Sequence, residues 1–196
     1  MKNTGHNQGD GTEYDEKDWK VFINNKIKEY GFEKWRRGIE NKGSLHRYRK
    51  KKCPSKEDFY VGDWASSLLF KARAGSLELK ERTYRYNQWG NKECVFGCNV
   101  DGRIADESVQ HLMTECGGYP EIMEWAIGEY RRVLGVSRFR EITLRGDEDQ
   151  GTDFFLGLGD DIPWEVIEVT KKYLVLLMTA RQEKIYMTLN ENNMIE

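Results

Sequence analysis

Three of the four cysteines and one of the three histidines lie within 23 positions, with the spacing Cys94-x3-Cys98-x12-His111-x4-Cys116. Thiolate and imidazole are ligands that zinc prefers in a closed tetrahedral site. A glycine-containing turn between Cys94 and Cys98 can direct both sulfurs towards one point. These four residues therefore predict a structural Zn²⁺ site without an open position for catalysis. The alternative is a set of buried free cysteines beside a core histidine.

The second half of this motif sets a geometrical condition. On a continuous α-helix, two residues five positions apart point about 140° apart around the axis. Cys116 can therefore share a metal ion with His111 only if the helix ends, and we expect Gly117-Gly118 to end it. Cys53 lies about forty residues upstream of the motif beside Pro54, and we predict a free thiol for it.

An excess of positive charge is the second chemical feature, and it lies in one part of the chain. Residues 17–92 carry 20 Lys and Arg against 9 Asp and Glu, whereas residues 93–196 carry 10 against 20. Such asymmetry indicates a polyanionic partner for the basic part. The alternative is that the two parts attract each other within the fold.

We predict that the basic part binds RNA or DNA through its phosphates, with Tyr48 stacking on unpaired bases. The sequence does not distinguish the two nucleic acids, and a solvated helix face is the alternative. The predicted contacts are Arg36, Arg37, Arg47, Tyr48, Arg49, Lys50, Lys51, Lys52, Lys56, Lys71 and Arg73.

Gly159-Asp160-Asp161 could belong to a polymerase site that holds Mg²⁺, but that chemistry needs a third carboxylate on a neighbouring strand. Pro163 and a helical pattern follow at once. Acidic residues are stabilising at the start of a helix. We therefore predict helix capping there, and no catalytic residues in the chain.

The spacing of apolar residues predicts a mostly α-helical domain with a small irregular zinc-binding insert. Helices are expected over 18–30, 32–43, 44–52, 64–74, 106–116, 121–134 and 163–189. Residues 84–100 are expected to form loops or a short hairpin, and residues 145–153 an acidic surface loop. The predicted segments are a disordered tail (1–16), a basic helical region (17–92), a zinc-binding element with its following helix (93–135), and an acidic loop with a long C-terminal helix (136–196).

Hydropathy argues against a membrane protein. The longest apolar run, residues 173–178, is far shorter than the roughly 20 residues that cross a bilayer. The first residues also lack the features of a signal peptide. We therefore expect an intracellular protein of the cytoplasm or nucleus, where cysteines stay reduced.

Several segments resemble the C-terminal region of non-LTR retrotransposon reverse transcriptases, which carry a Cys-Cys-His-Cys zinc motif after the polymerase. The similar segments are Gly43-Ser-Leu-His-Arg-Tyr48, Leu68-Leu-Phe-Lys-Ala-Arg-Ala-Gly-Ser-Leu77 with Glu81-Arg82, and His111-Leu-Met-Thr-Glu-Cys116 with Tyr119. The resemblance covers about residues 18–185. The chain departs from the family in its Cys-x3-Cys spacing, where Cys-x2-Cys is more usual, and in Gly117, where a proline is usual.

The resemblance implies a zinc-stabilised module that binds element RNA or target DNA. The resembled parent is an RNA-directed DNA polymerase, but its palm, paired aspartates and endonuclease have no counterpart here, so we do not expect an enzyme on this chain alone. The alternative is a helical protein-interaction module without nucleic-acid binding. In that case the acidic C-terminal half and the long helix would bind a protein partner.

Overall fold

The structure, a computed structural model, describes residues 15–51, 57, 60–87, 90–145, 148–158 and 162–193. Its α-helices are α1 (Glu16–Ile39), α2 (His46–Lys51), α3 (Trp64–Arg73), α4 (Lys80–Asn87), α5 (Pro120–Leu134), α6 (Val136–Arg145), α7 (Glu148–Phe155) and α8 (Trp164–Asn193). A 3-10 turn spans Gly43–Leu45, and a π-helical turn spans His111–Glu115. The two strands are β1 (Asn99–Val100) and β2 (Arg103–Ile104), which pair antiparallel. The prediction of a mostly α-helical fold is confirmed.

Helices α3, α5 and α8 form the centre of the fold, because α8 packs against both of the others. Each contributes fully buried side chains, among them Leu69 of α3, Tyr130 of α5 and Leu174 of α8. The Tyr130 hydroxyl lies 3.0 Å from Oγ1 of Thr170, so the polar end of this buried ring has a partner on α8. Among the described residues, a core cluster runs from Leu68 to Leu177 and contains residues of all three predicted segments beyond residue 17.

Helix α1 differs from its prediction, because it continues through Gly31 where we expected it to stop. Glycine inside a helix costs about 1 kcal/mol but ends it only when the backbone turns left-handed, and Gly31 keeps a helical backbone. Asp15 caps the helix by accepting from the N–H of Lys17. Only Ile39 of α1 is buried, so the helix extends from the body of the protein.

The predicted acidic loop over 145–153 is wrong, since most of it belongs to α7. Asp153 is largely buried there, and its carboxylate forms an ion pair with Arg47 at 2.5 Å. Because a buried charge is tolerated when it is paired, the contact with Arg47 explains why Asp153 can lie on the buried side of α7. The second half of α4 falls in the segment that we expected to be a loop or hairpin, and α6 was not predicted.

Helices α5 and α8 match their predictions closely, although α8 continues to Asn193. Pro163 immediately precedes α8, where the fixed backbone angle of proline favours the start of a helix.

Cys53 and Gly159-Asp160-Asp161 lie outside the described residues, as do residues 1–14. In the part of the chain that is described, the helices do not combine the length and apolar character needed to cross a bilayer.

Candidate metal centre

The structure brings Cys94, Cys98, His111 and Cys116 together, as their spacing predicts. One ligand atom from each residue lies within 4.8 Å of all the others. The three sulfurs form a nearly equilateral triangle, with Sγ–Sγ distances of 3.6, 3.7 and 3.6 Å. Sulfurs about 2.3 Å from a shared ion at the corners of a tetrahedron are about 3.8 Å apart. The four residues are therefore arranged to hold a metal ion.

The first two cysteines are positioned by a turn and a hairpin. Gly97 adopts φ +66°, a left-handed conformation that reverses the chain between the two sulfurs. The N–H of Cys94 donates to the carbonyl of Ala105 at 2.8 Å, and the N–H of Ala105 donates to the carbonyl of Cys98 at 2.8 Å. Strands β1 and β2 continue this pairing beyond Cys98. Both sulfurs are thus fixed relative to the returning chain.

The last two ligands are positioned by the π-helical turn. The N–H of Cys116 donates to the carbonyl of His111 at 2.8 Å, a hydrogen bond between residues five apart. This widened turn brings residues five apart onto the same side of the helix. The helix then ends at Cys116, whose backbone is extended. The expected helix end is present, but it lies at Cys116 and is preceded by a π-turn.

Ser108, rather than the expected Asp106, caps the helix that carries His111. Its hydroxyl accepts from the N–H of His111 at 3.0 Å. The Asp106 carboxylate instead forms an ion pair with Lys92 at 2.5 Å. The cap residue is therefore displaced by two positions from its prediction.

His111 provides a test of whether a metal ion fits the site. The residue is 2% exposed, and both of its ring nitrogens are buried without a hydrogen-bond partner among the described residues. An unpartnered buried polar atom destabilises the folded state by about 1–3 kcal/mol. Coordination of a metal ion by one ring nitrogen would remove that penalty. The donor set and the burial therefore fit a metal ion better than a core histidine beside free thiols.

Burial also changes the pKa of two of the cysteine thiols. It raises the pKa of Cys94, against the lowering effect of the backbone N–H groups of Phe96 and Cys98. It raises the pKa of Cys116 as well, against the N–H of Gly118. A coordinating thiol is deprotonated, so these N–H groups stabilise the form that binds a metal ion. The metal would supply the positive charge that the buried thiolates otherwise lack.

Close packing fixes the chain after Cys116. The ring of Phe96 packs edge-on against that of Tyr119 with 4.4 Å between the centroids. A Cβ atom on Gly118 would lie 2.2 Å from Cγ of Phe96, so only glycine fits there. The two pairs of candidate ligands are therefore held together by packing.

Two contacts connect the metal-binding segment to α8. The Glu107 carboxylate, 1% exposed, accepts from Nε and a terminal nitrogen of Arg181 at 2.9 and 2.8 Å. The Tyr173 hydroxyl donates to the carbonyl of Met113 at 3.0 Å. These residues could not be predicted from the sequence, because their partners lie 60 and 74 positions away and leave no local pattern.

Glu115 is a further residue that the sequence motif did not reveal, although it lies four positions after His111. Its Oε2 is 3.6 Å from Nδ1 of His111, and its Oε1 accepts from the side-chain amide of Gln110 at 2.8 Å. A ligating imidazole usually donates from its other nitrogen to a carboxylate, which fixes the orientation of the ring. We infer that Glu115 has this positioning role once a metal ion is bound.

Replacing Glu115 with alanine is expected to weaken metal affinity about 10- to 100-fold, because the His111 ring loses the acceptor that orients it. Competition with a chromogenic chelator measures the change. Glu124→Ala, which removes an exposed carboxylate from α5, is the control and should leave affinity unchanged. Equal metal affinities for the two variants would contradict the role of Glu115.

The structure contradicts the assignment of Arg73 as a nucleic-acid contact. Arg73 is fully buried, and its guanidinium donates to the carbonyls of Leu156 at 2.7 Å and Gly157 at 3.0 Å. It also forms an ion pair with Glu57. These contacts between α3 and the chain after α7 require the cation inside the fold, where a phosphate cannot reach it.

Arg47 and Tyr48 are also engaged within the fold. The Arg47 side chain is 12% exposed and paired with Asp153, which contradicts its assignment as a phosphate contact. The Tyr48 hydroxyl lies 2.9 Å from that of Tyr60, and its ring packs near Phe70. The Tyr48 ring is half-buried and has these contacts within the protein.

The other predicted contacts remain candidates where they are described. Arg36 and Arg37 are exposed in the last turn of α1, and Arg49 is exposed on α2. Lys71 is half-exposed on α3, 3.8 Å from Glu78. The structure does not describe the side chains of Lys50 and Lys51, nor any part of Lys52 and Lys56.

The chain was compared with protein-family models, curated proteins and solved structures. None of them matches it.

Proposed function

We propose that this chain is a zinc-stabilised helical module that binds nucleic acid, derived from the C-terminal region of a non-LTR retrotransposon reverse transcriptase. The observation that carries the metal part is the triangle of three sulfurs beside a buried, unpartnered imidazole. Three thiolates and one imidazole favour Zn²⁺ over the hard cations, which prefer oxygen ligands. A closed set of four ligands gives the ion a structural role, and a thiol-reducing compartment such as the cytoplasm or nucleus suits it.

Uncompensated positive charge supports the nucleic-acid part. Residues 16–51, which contain α1 and α2, carry twelve Lys and Arg against five Asp and Glu. Most of the acidic residues of α1 are already paired with cations of the same helix, as Glu29 is with Lys26 and Glu33 with Arg36. The excess therefore remains available to phosphates, and the exposed Arg37 and Arg49 are the described residues best placed to contact them.

Reversing both charges in Arg37→Glu/Arg49→Glu is expected to weaken binding to RNA and DNA of any sequence, because phosphate contacts do not read bases. The slope of log affinity against log salt should flatten by up to about 1.8 for a duplex, since each lost contact contributes about 0.9. Fluorescence anisotropy with labelled 20-mers over a range of salt concentrations measures both quantities.

A matched control is available on α6, where Arg138 and Arg140 are exposed outside the basic part. Arg138→Glu/Arg140→Glu makes the same change of charge and should keep the wild-type salt slope. If the two double variants lose affinity equally, net charge alone governs binding and the proposed surface is wrong. If the wild-type protein binds no nucleic acid at low salt, the nucleic-acid part of the proposal is overturned.

The second candidate is a protein-interaction module, and the exposed apolar side chains of α1 favour it. Trp19, Phe22, Ile27 and Tyr30 are 51%, 47%, 63% and 65% exposed. An apolar stripe on an otherwise charged helix is typical of a surface that packs against another helix. Salt separates the two candidates, because apolar association persists at high salt whereas phosphate binding weakens steeply.

A further inference from the structure

A cavity of about 500 Å³ lies between α4 and the metal-binding segment. One wall is Tyr84 of α4, and the others come from the chain that enters the metal site and from the hairpin strand that leaves it. Cavities of about 300–1,000 Å³ hold small molecules in proteins. None of the residues that line this cavity is a predicted nucleic-acid contact or a metal ligand.

The aromatic wall of the cavity is accessible. Tyr84 is 37% exposed, and the Lys92 side chain lines the same cavity. Unlike Tyr48, it has no hydrogen bond or ring contact with another described residue. An accessible tyrosine ring beside a cation is a platform on which a nucleobase can stack.

Acceptors and donors of hydrogen bonds line the same cavity as this ring. Asn91 donates to Oε2 of Glu93 at 2.7 Å and accepts from Nζ of Lys80 at 3.3 Å. These bonds fix the Glu93 carboxylate at the edge of the cavity. A carboxylate accepts hydrogen bonds from the exocyclic amino group of a base, as in contacts with cytosine. Uracil and thymine lack that group.

A free cation completes the set of groups. The Arg103 guanidinium of β2 lines the cavity and has no ion pair or hydrogen bond with any residue that the structure describes. A base stacked on Tyr84 therefore has a cation available for its own phosphate. The combination of aromatic ring, carboxylate and guanidinium matches the three parts of a nucleotide that proteins contact.

The metal site holds the cavity in shape. Glu93 directly precedes Cys94 and is bridged to Asp106, and Ala105 is bonded to both Cys94 and Cys98. We propose that this cavity binds one unpaired nucleotide whose base carries an exocyclic amino group, by stacking on Tyr84. This inference deepens the proposed function and rests on it, because it specifies single-stranded nucleic acid as the substrate class.

The test measures anisotropy of the zinc-loaded full chain with single-stranded oligodeoxycytidylate, oligothymidylate and a mixed-sequence duplex. Tyr84→Ala is expected to weaken binding to oligodeoxycytidylate about 5- to 100-fold, the effect of losing one stacked base, and to leave duplex binding unchanged. Tyr84→Phe keeps the ring and should bind as the wild type does. Tyr86→Ala, which removes a 78% exposed ring of the same helix outside the cavity, is the matched control.

Two further measurements sharpen the result. The wild-type protein should prefer oligodeoxycytidylate to oligothymidylate, and Arg103→Ala should flatten the single-strand salt slope by about 0.7. Equal metal content and equal circular dichroism of all variants establish that folding is unchanged. Equal binding by Tyr84→Ala and the wild type would contradict nucleotide binding in the cavity, but not phosphate binding by the basic residues of α1 and α2. An equal loss on single strands and duplex would overturn it too.

Free cytidine monophosphate distinguishes the cavity from the proposed function. If the wild-type protein binds this nucleotide through Tyr84 but binds no oligonucleotide, nucleotide binding in the cavity is supported and the proposed nucleic-acid function is contradicted. If it binds neither, both proposals are overturned.

Discussion

Cys98→Ser is expected to release the metal ion and unfold the metal-binding segment. Coordination supplies about 10–16 kcal/mol of apparent free energy in small zinc modules, and the loss of one thiolate removes much of it. Cys98 is the most informative ligand to change, because Cys94 and Cys116 are buried in the core whereas Cys98 is half-buried. A loss of stability in Cys98→Ser therefore reflects coordination more than packing.

The measurements are zinc per chain by atomic spectroscopy and the free energy of unfolding in denaturant. The variant should hold less than one equivalent of zinc and unfold at lower denaturant concentration than the wild type. Cys53→Ser makes the same chemical change outside the motif, and we expect its effect to be small. Equal zinc content in Cys98→Ser and the wild type would eliminate the site.

Glu107→Ala is expected to destabilise the fold by about 3–5 kcal/mol, because it leaves the Arg181 guanidinium buried without its partner. Arg181 is 7% exposed, and Glu107 also accepts from the backbone N–H of Lys80 at 2.9 Å. The variant therefore loses the pairing with α8 and the anchor at the start of α4 together. Chemical denaturation monitored by circular dichroism measures the change.

The double variant Glu107→Leu/Arg181→Met is the decisive comparison. Replacing a buried ion pair with apolar side chains of similar volume is often neutral, so this variant should recover most of the loss seen in Glu107→Ala. Glu124→Ala serves as a control on the surface of α5. A double variant no more stable than Glu107→Ala would show that the carboxylate acts mainly through its other contact.

Local sequence patterns predicted the features that depend on short distances along the chain. The apolar periodicity of α3, α5 and α8 is a pattern within one helix, and the spacings Cys94-x3-Cys98 and His111-x4-Cys116 each fall within one turn. Pro163 marks the start of α8 in the same way. Each of these features is visible before any tertiary contact is known.

The features that sequence analysis missed depend on contacts between distant residues. Arg73 and Arg47 have the same side chain as Arg49, and only the partners Glu57, Leu156 and Asp153 decide which of them is buried. Those partners lie up to 106 positions away. Tertiary structure also decides that the acidic segment before Phe155 is a helix.

The π-turn at His111–Glu115 illustrates a third kind of limit. The spacing His-x4-Cys shows that an ordinary α-helix cannot serve both ligands, so a departure from α-geometry follows from the sequence. Whether the chain ends the helix or widens it is not determined by that spacing. The structure combines both, with the hydrogen bond from Cys116 to His111 closing the last turn.

The extension of α1 beyond the body has a consequence for how the protein opens. With Ile39 alone buried at one end, the remaining turns of α1 are stabilised mainly by their own hydrogen bonds and by pairs such as Lys20 with Glu16. A helix without tertiary packing is only marginally stable in water. Its N-terminal turns should therefore open in local fluctuations, and their backbone amides should exchange hydrogen with solvent rapidly. The amides of α8 should exchange only on global unfolding. Thermal melting of the core would then report almost nothing about this helix.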